Sequence, residues 1–543
     1  MKKKFDNFYL LFILVLFLYF IGNLYLIFSN YLDGGQGDST HRILFTYDFL
    51  NYSLKDYIHH HLVSPWPPLP FIMQGIFYKF LKIFSFQLIS SIYILSLMLA
   101  SIHLIIIFQI FKKFQKSILG LIYIICFVTS GSLNEVLISS MSEIYALFFL
   151  SFGLLFIDKK INFFSIIILG LIFFLATLCR SETIFISSSL FFLFFLFLKQ
   201  KIFSLLFLLI SASPIIVKNI YYFFHDINPD SNSITMGALY NFGNLYERAY
   251  NFAGTILSFI NWQNLIVIIL ILFLFITLEV KNNKIRTLKK KDTAILFLGI
   301  TYLILILLTM FFGPITQNLR YLFIPSLIIF IGFLLILKKK ANSDCYKILN
   351  KKIYFFYFIT FVGLFLNFYF LTKSIPKEIR YAKNFLLSEI QNNKIDINRH
   401  SVLLIDSLLG HEMYFMMHAI THSNYNYAAS QFDMRPQPYL DPSVEFLLNN
   451  NTNSAIELKM LSYIHEFKPM YLVTARGSLR NEIDSLVFTI NKHERSTYIF
   501  ANSKFDKGGD LELNLKKINK DKKIYYKKIF ENNLLNIFKF ISD

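Results

Sequence analysis

Apolar residues run along the first 371 positions in long blocks separated by short polar stretches. A helix needs roughly 17–25 mostly apolar residues to cross a bilayer. About eleven blocks approach that length, at 8–29, 86–111, 117–133, 142–157, 162–179, 183–198, 202–224, 262–279, 293–312, 321–337 and 353–371. One further block, 71–84, is too short to cross and carries Lys79 and Lys82, so it predicts an interfacial or re-entrant helix. Beyond 371 the pattern changes, and no membrane-length apolar run follows. Short buried strands are expected at 402–405, 470–473 and 497–500, with helical patterns around 410–420 and 478–488. The Lys-rich stretch 516–528 reads as a solvated or headgroup-facing surface. The expected architecture is a polytopic α-helical membrane module over 1–371, followed by a soluble α/β domain over 372–543.

Composition agrees with this division. The chain is 55% hydrophobic and 18% aromatic but only 16% charged, which leaves too little polar surface for a soluble protein of 543 residues. Its net charge of +19 could point to nucleic acid, but its distribution points to topology instead. With the N-terminus inside, the loops on that side hold twenty-two basic residues and five acids, whereas the opposite loops up to 371 hold eight and ten. This places the N-terminus in the cytoplasm, and it places the loop at 30–70 and the domain after 371 outside. The leading Met1-Lys2-Lys3-Lys4 precedes an apolar run too long for a signal peptide, with no small-residue cleavage site, so an uncleaved anchor is expected. Heavy use of Lys, Asn, Ile and Phe fits an AT-rich bacterial genome and hence a bacterial inner membrane. Cys126, Cys179 and Cys345 show neither metal nor disulfide spacing.

The polar loop at 30–70 holds the densest candidate chemistry: Asp33, Asp38, Asp48 and Asp56, with His41, Arg42 and the run His59-His60-His61. Trp66-Pro67-Pro68-Leu69-Pro70 then stops any helix and turns the chain back to the membrane. Moving a sugar from a lipid phosphate to a hydroxyl needs a carboxylate for the acceptor proton, and cations or a metal for the departing phosphate. A loop of this composition at a membrane surface meets that minimum.

Four stretches resemble the GT-C superfamily of membrane glycosyltransferases, in particular the bacterial branch related to protein mannosyltransferases and to the lipid A aminoarabinose transferase. They are Asp38-Ser39-Thr40-His41-Arg42 with the later Pro-Pro-Leu; Met141-Ser142-Glu143-Ile144-Tyr145; Leu178-Cys179-Arg180-Ser181-Glu182; and Leu319-Arg320-Tyr321-Leu322-Phe323-Ile324-Pro325. They occur in the family's order across most of residues 1–340. The first departs from the usual pattern, because Asp38 is followed by Ser39 where many relatives carry a second acid.

The resemblance implies inverting transfer of a sugar from a polyprenyl-phosphate-linked donor to a lipid, glycan or protein acceptor. Asp38 is then the catalytic carboxylate, with Asp33 as its alternative. Arg320, at the mouth of a span, suits a phosphate oxygen pair, and Arg42 could orient the base or touch the same phosphate. Glu143, Arg180, Glu182 and His41 take supporting roles, although Arg180 and Glu182 read more simply as a structural ion pair. A divalent metal is left open, with His61 and His225 as ligand candidates, and no nucleic-acid partner is expected. Competing readings are a polymerase or ligase of lipid-linked glycans, a transporter or flippase, and a non-catalytic assembly partner. Against the transporter stand nearly uniformly apolar spans and the absence of two similar halves.

Overall fold

A computed structural model describes residues 2–28, 46, 49–50, 67–86, 88–130, 141–156, 162–197, 201–224, 290–312, 319–336, 361–365, 377–392, 402–405, 429–432, 461, 464–475, 509–518, 520–533 and 535–542. The chain forms two compact units. The first holds Met1–Asn30, Arg42–Phe86 and Ser90–Thr372; the second holds Tyr31–His41, Gln87–Ile89 and Lys373–Asp543.

Helices make up the described part of the first unit: α1 (Lys2–Phe28), α2 (Leu69–Lys82), α3 (Leu88–Lys113), α4 (Ser117–Thr129), α5 (Ser142–Phe156), α6 (Phe163–Cys179), α7 (Ile184–Phe192, extended by a wider turn to Phe197), α8 (Lys201–Phe224), α9 (Lys290–Phe312) and α10 (Phe323–Ile336). Among the described residues, four stretches are long and apolar enough to cross a membrane: Tyr9–Phe28, Ser90–Lys113, Lys201–Phe224 and Ala294–Phe311. Shorter apolar helices among the described residues lie at Ser117–Thr129, Ser142–Phe156, Phe163–Cys179, Ser181–Phe195 and Phe323–Leu335. The expected span at 262–279 lies outside the described residues, and of 353–371 only 361–365, a helical piece, is described.

Local chemistry sets several helix ends. After α3, Gln115 takes a left-handed backbone (φ 60), and the Lys116 amide donates back to the Phe111 carbonyl at 2.8 Å, closing the last turn. Asn162 opens α6 with a reciprocal cap: its side chain accepts from the Ser165 amide, and the Ser165 hydroxyl accepts from the Asn162 amide, each at 2.8 Å. Between α9 and α10 the backbones approach closely because both helices carry glycine at the crossing. A Cβ at Gly299 would lie 2.7 Å from the Ile329 nitrogen, and one at Gly332 would collide with the Leu296 backbone.

Contacts sort helix termini into two groups. In one, Lys112 at the end of α3 sits 5.3 Å from the Tyr9 ring of α1, and the buried Lys116 ammonium donates to the Leu335 carbonyl at the end of α10. A cation there complements the negative end of the helix dipole. In the other, Phe28 meets Phe86 at 6.0 Å, and the start of α5 meets the end of α6.

The second unit pairs a helix, α11 (Lys377–Asn392), with a six-stranded sheet: β1 (Val402–Ile405), β2 (Ala429–Phe432), β3 (Tyr471–Ala475), β4 (Leu511–Asn514), β5 (Lys523–Glu531) and β6 (Leu535–Ser542). The strand order is β2-β1-β3-β6-β5-β4; the β1 pairings are parallel and those of β6 and β5 antiparallel. Leu472, Leu513, Ile524, Tyr526 and Phe538 form its core with Leu461 and Ile464, and the Tyr526 hydroxyl donates to the Pro469 carbonyl at 2.9 Å. Phe385 of α11 packs on Phe530 at 4.8 Å. The expected strands at 402–405 and 470–473 match β1 and β3, while 410–420, 478–488 and 497–500 lie outside the described residues. The Lys-rich stretch expected to be surface contains most of β5 instead. Its residues alternate, so Ile524 and Tyr526 point into the core while Lys523, Tyr525 and Lys527 face out.

Candidate functional site

Three of the expected supporting residues, drawn from two stretches distant in sequence, meet at one place. Glu143 lies in the first turn of α5, where the positive end of the helix dipole favours a carboxylate. Arg180 follows the last residue of α6 in extended conformation, and Glu182 lies in the single tight turn Ser181–Thr183 that leads into α7. The Arg180 guanidinium reaches Glu143 at 2.5 Å and Glu182 at 3.4 Å, and its Nη1 donates to the Ser142 hydroxyl at 3.2 Å. On another side its carbon lies 4.8 Å from the centroid of the Tyr321 ring, a cation–π distance. The Thr183 hydroxyl fixes the turn by donating to the Arg180 carbonyl at 2.8 Å.

Burial gives the cluster its character. Glu143 is 1% exposed and Arg180 4%. Two carboxylates share one guanidinium, so the group carries a net negative charge when both are ionised. Charges in such surroundings attract strongly, but Glu143 and Arg180 have lost their water while Glu182 stays partly exposed, so leaving either of the first two unpaired would be costly. The expected Arg180–Glu182 pair is therefore one arm of a larger cluster, and Glu143 supplies the shorter contact.

A neutral polar chain lies beside it. Gln74 of α2 donates to the Tyr145 hydroxyl at 2.8 Å and accepts from the Thr46 hydroxyl at 2.5 Å; the Ser96 hydroxyl of α3 is 3.4 Å from the same Tyr145 oxygen. Tyr145 stands two residues from Glu143, so the polar chain and the ionic cluster share the first turn of α5. Elsewhere in the helices His103 is fully buried, with Nε2 3.0 Å from the Tyr123 hydroxyl, as a packed polar residue.

Arg320 belongs by its backbone to the turn Leu319–Leu322, one residue before Tyr321; its side chain is outside the described residues. Asp38, Asp33, His41, Arg42, His61 and His225 are also outside them. Among the described residues, no group of three His, Cys, Asp or Glu side chains gathers to hold a metal. Sequence reasoning did not single out Tyr321, Gln74, Tyr145 or Ser96. Two signals pointed their way: Tyr321 and Tyr145 sit inside the quoted motifs, and Gln74 is a lone amide in an apolar block. No family model matches this chain, and no curated protein matches it.

Proposed function

We propose that this chain is a GT-C-type membrane glycosyltransferase, moving a sugar from a polyprenyl-phosphate-linked donor to a hydroxyl of a lipid, glycan or protein at the outer face of a bacterial membrane. One observation carries the reading. The stretches on which the resemblance rests converge on the first turn of α5: Glu143 from the second, Arg180 and Glu182 from the third, and Tyr321 from the fourth. Thr46 and Gln74, on either side of the Pro-rich part of the first, reach Tyr145 next to them. Residues that build one site must meet in space, and buried charges within apolar helices mark function more often than stability.

In this reading Asp38, or Asp33 as its alternative, accepts the acceptor hydroxyl's proton as that oxygen bonds to the anomeric carbon. The carbon–oxygen bond to the donor phosphate breaks on the opposite face, with inversion, and its electron pair leaves on the phosphate. Arg320 and Arg42 neutralise that charge, the guanidinium fork matching two phosphate oxygens. Glu143, Arg180 and Glu182 set the helix ends around the site, and His41 adjoins Arg42 in the loop. The C-terminal domain contributes to the choice of acceptor.

The test uses membranes containing the full chain and a panel of labelled polyprenyl-phosphate sugars. Asp38→Asn should lower transfer about 10²–10⁴-fold, the usual contribution of a general base, and Arg320→Ala should weaken it as well. Transfer by both variants at the wild-type rate overturns the site assignment.

A further inference from the structure

Helix α2 has two apolar faces, and among the described residues only one is covered by protein. Fourteen residues give it a length of roughly 21 Å, short of a bilayer core. Pro68 and Pro70 start it, and Ser85 in left-handed conformation (φ 62) ends it, with the Phe86 amide donating back to the Leu81 carbonyl at 3.3 Å. Phe71, Gln74, Gly75 and Tyr78 face the protein. The opposite stripe of Ile76, Phe80, Ile83 and Phe84 is exposed by 59, 57, 75 and 61%. Helical spacing puts the exposed Lys79, whose ammonium lies 5.9 Å from the Phe49 ring, along one flank of that stripe, and the exposed Lys82, the last residue of the helix, about 60° further round towards the protein-facing side.

The occupant follows from two further observations. The stripe ends beside Phe86, whose ring lies 6.0 Å from Phe28, and Phe28 continues the exposed side of α1 formed by Phe17, Ile21 and Tyr25. The apolar surface of α2 is thus continuous with that of a membrane-length helix, which lipid must cover. The charge on its flank is positive, which suits phosphate.

We propose that the outward face of α2 docks anionic phospholipid, with Ile76, Phe80, Ile83 and Phe84 entering the acyl boundary and Lys79 and Lys82 engaging the headgroups. This does not depend on the glycosyl-transfer reading. A lysine near an anionic surface raises local lipid affinity by about fivefold, so the pair selects phosphatidylglycerol over zwitterionic phosphatidylcholine.

The test places a reporter on the stripe of the full chain: Phe80→Trp, with Trp66→Phe and Trp262→Phe to remove background. In vesicles of mainly phosphatidylcholine, a minority of brominated phosphatidylglycerol should reach half-quenching at about fivefold or more lower mole fraction than brominated phosphatidylcholine. Adding Lys79→Gln and Lys82→Gln should abolish that preference while keeping the quenching. Equal quenching by both lipids with the lysines present overturns the headgroup assignment, and no quenching by either shows that protein covers the face. Native mass spectrometry of the chain with its own tryptophans is a second readout: K79Q/K82Q should lose retained phosphatidylglycerol relative to phosphatidylcholine, and unchanged retention overturns the proposal.

Discussion

Replacing Arg180 with glutamine tests whether the ionic cluster at the first turn of α5 holds the helices together. Arg180 is 4% exposed and its closest partner, Glu143, is 1% exposed at 2.5 Å, so neither charge has water to fall back on. Opposite charges with centres about 4 Å apart attract by roughly 4 kcal/mol at the effective dielectric of a protein interior. Desolvation offsets much of this in the intact pair, but truncating one partner exposes the whole penalty, about 3–5 kcal/mol. Arg180→Gln leaves two carboxylates facing each other and should cost that much. Glu143→Gln keeps the shape and leaves Arg180 with Glu182, so about 1–3 kcal/mol is expected. The double variant should cost less than the sum of the singles by roughly 0.5–3 kcal/mol. Unfolding of the full chain in mixed micelles, with helix content followed as denaturing detergent rises, measures all three. A cost below about 1 kcal/mol for Arg180→Gln, or strict additivity in the double variant, would refute the reasoning.

Gly332→Ala should destabilise the α9–α10 pair by about 1–3 kcal/mol, because the new methyl meets the Leu296 backbone and only a shift of a whole helix can relieve it; an unchanged unfolding midpoint in micelles would show that the crossing is looser. Tyr471 in β3 is buried, and burial with the nearby Glu389 carboxylate pushes its phenol up from 10.0 to about 12. The folded sheet therefore keeps the neutral form after the unfolded chain has ionised, so this contribution is complete below pH 10 and drains away as pH rises towards 12. Tyrosinate absorbance of wild type minus Tyr471→Phe should titrate near the upper value; a difference that titrates near 10 contradicts the burial.

Much of the helical unit could be read from residue order alone. Apolar run length locates α1, α3, α8 and α9, because a helix satisfies its own backbone hydrogen bonds and needs only side chains that tolerate lipid. The lysines at and just after the end of α3 are an equally local signal. The sheet was harder. Its β5 strand buries Ile524 and Tyr526 between outward lysines, so its average composition reads as surface and only the two-residue period betrays it. Strands β4 and β6 depend on that partner and went unnoticed with it.

What residue order carries is what lies within a helix or a turn: apolar length, the distribution of charge, and the three motifs that contain Glu143, Arg180 with Glu182, and Tyr321. What packing alone decided is which of those motifs touch. Glu143 pairs with Arg180 from 37 positions away, and Tyr321 lies against the same guanidinium from the turn that precedes α10. No local preference encodes such a meeting. It arises from the packing of helices distant in sequence, which brings the start of α5, the end of α6 and the turn before α10 together.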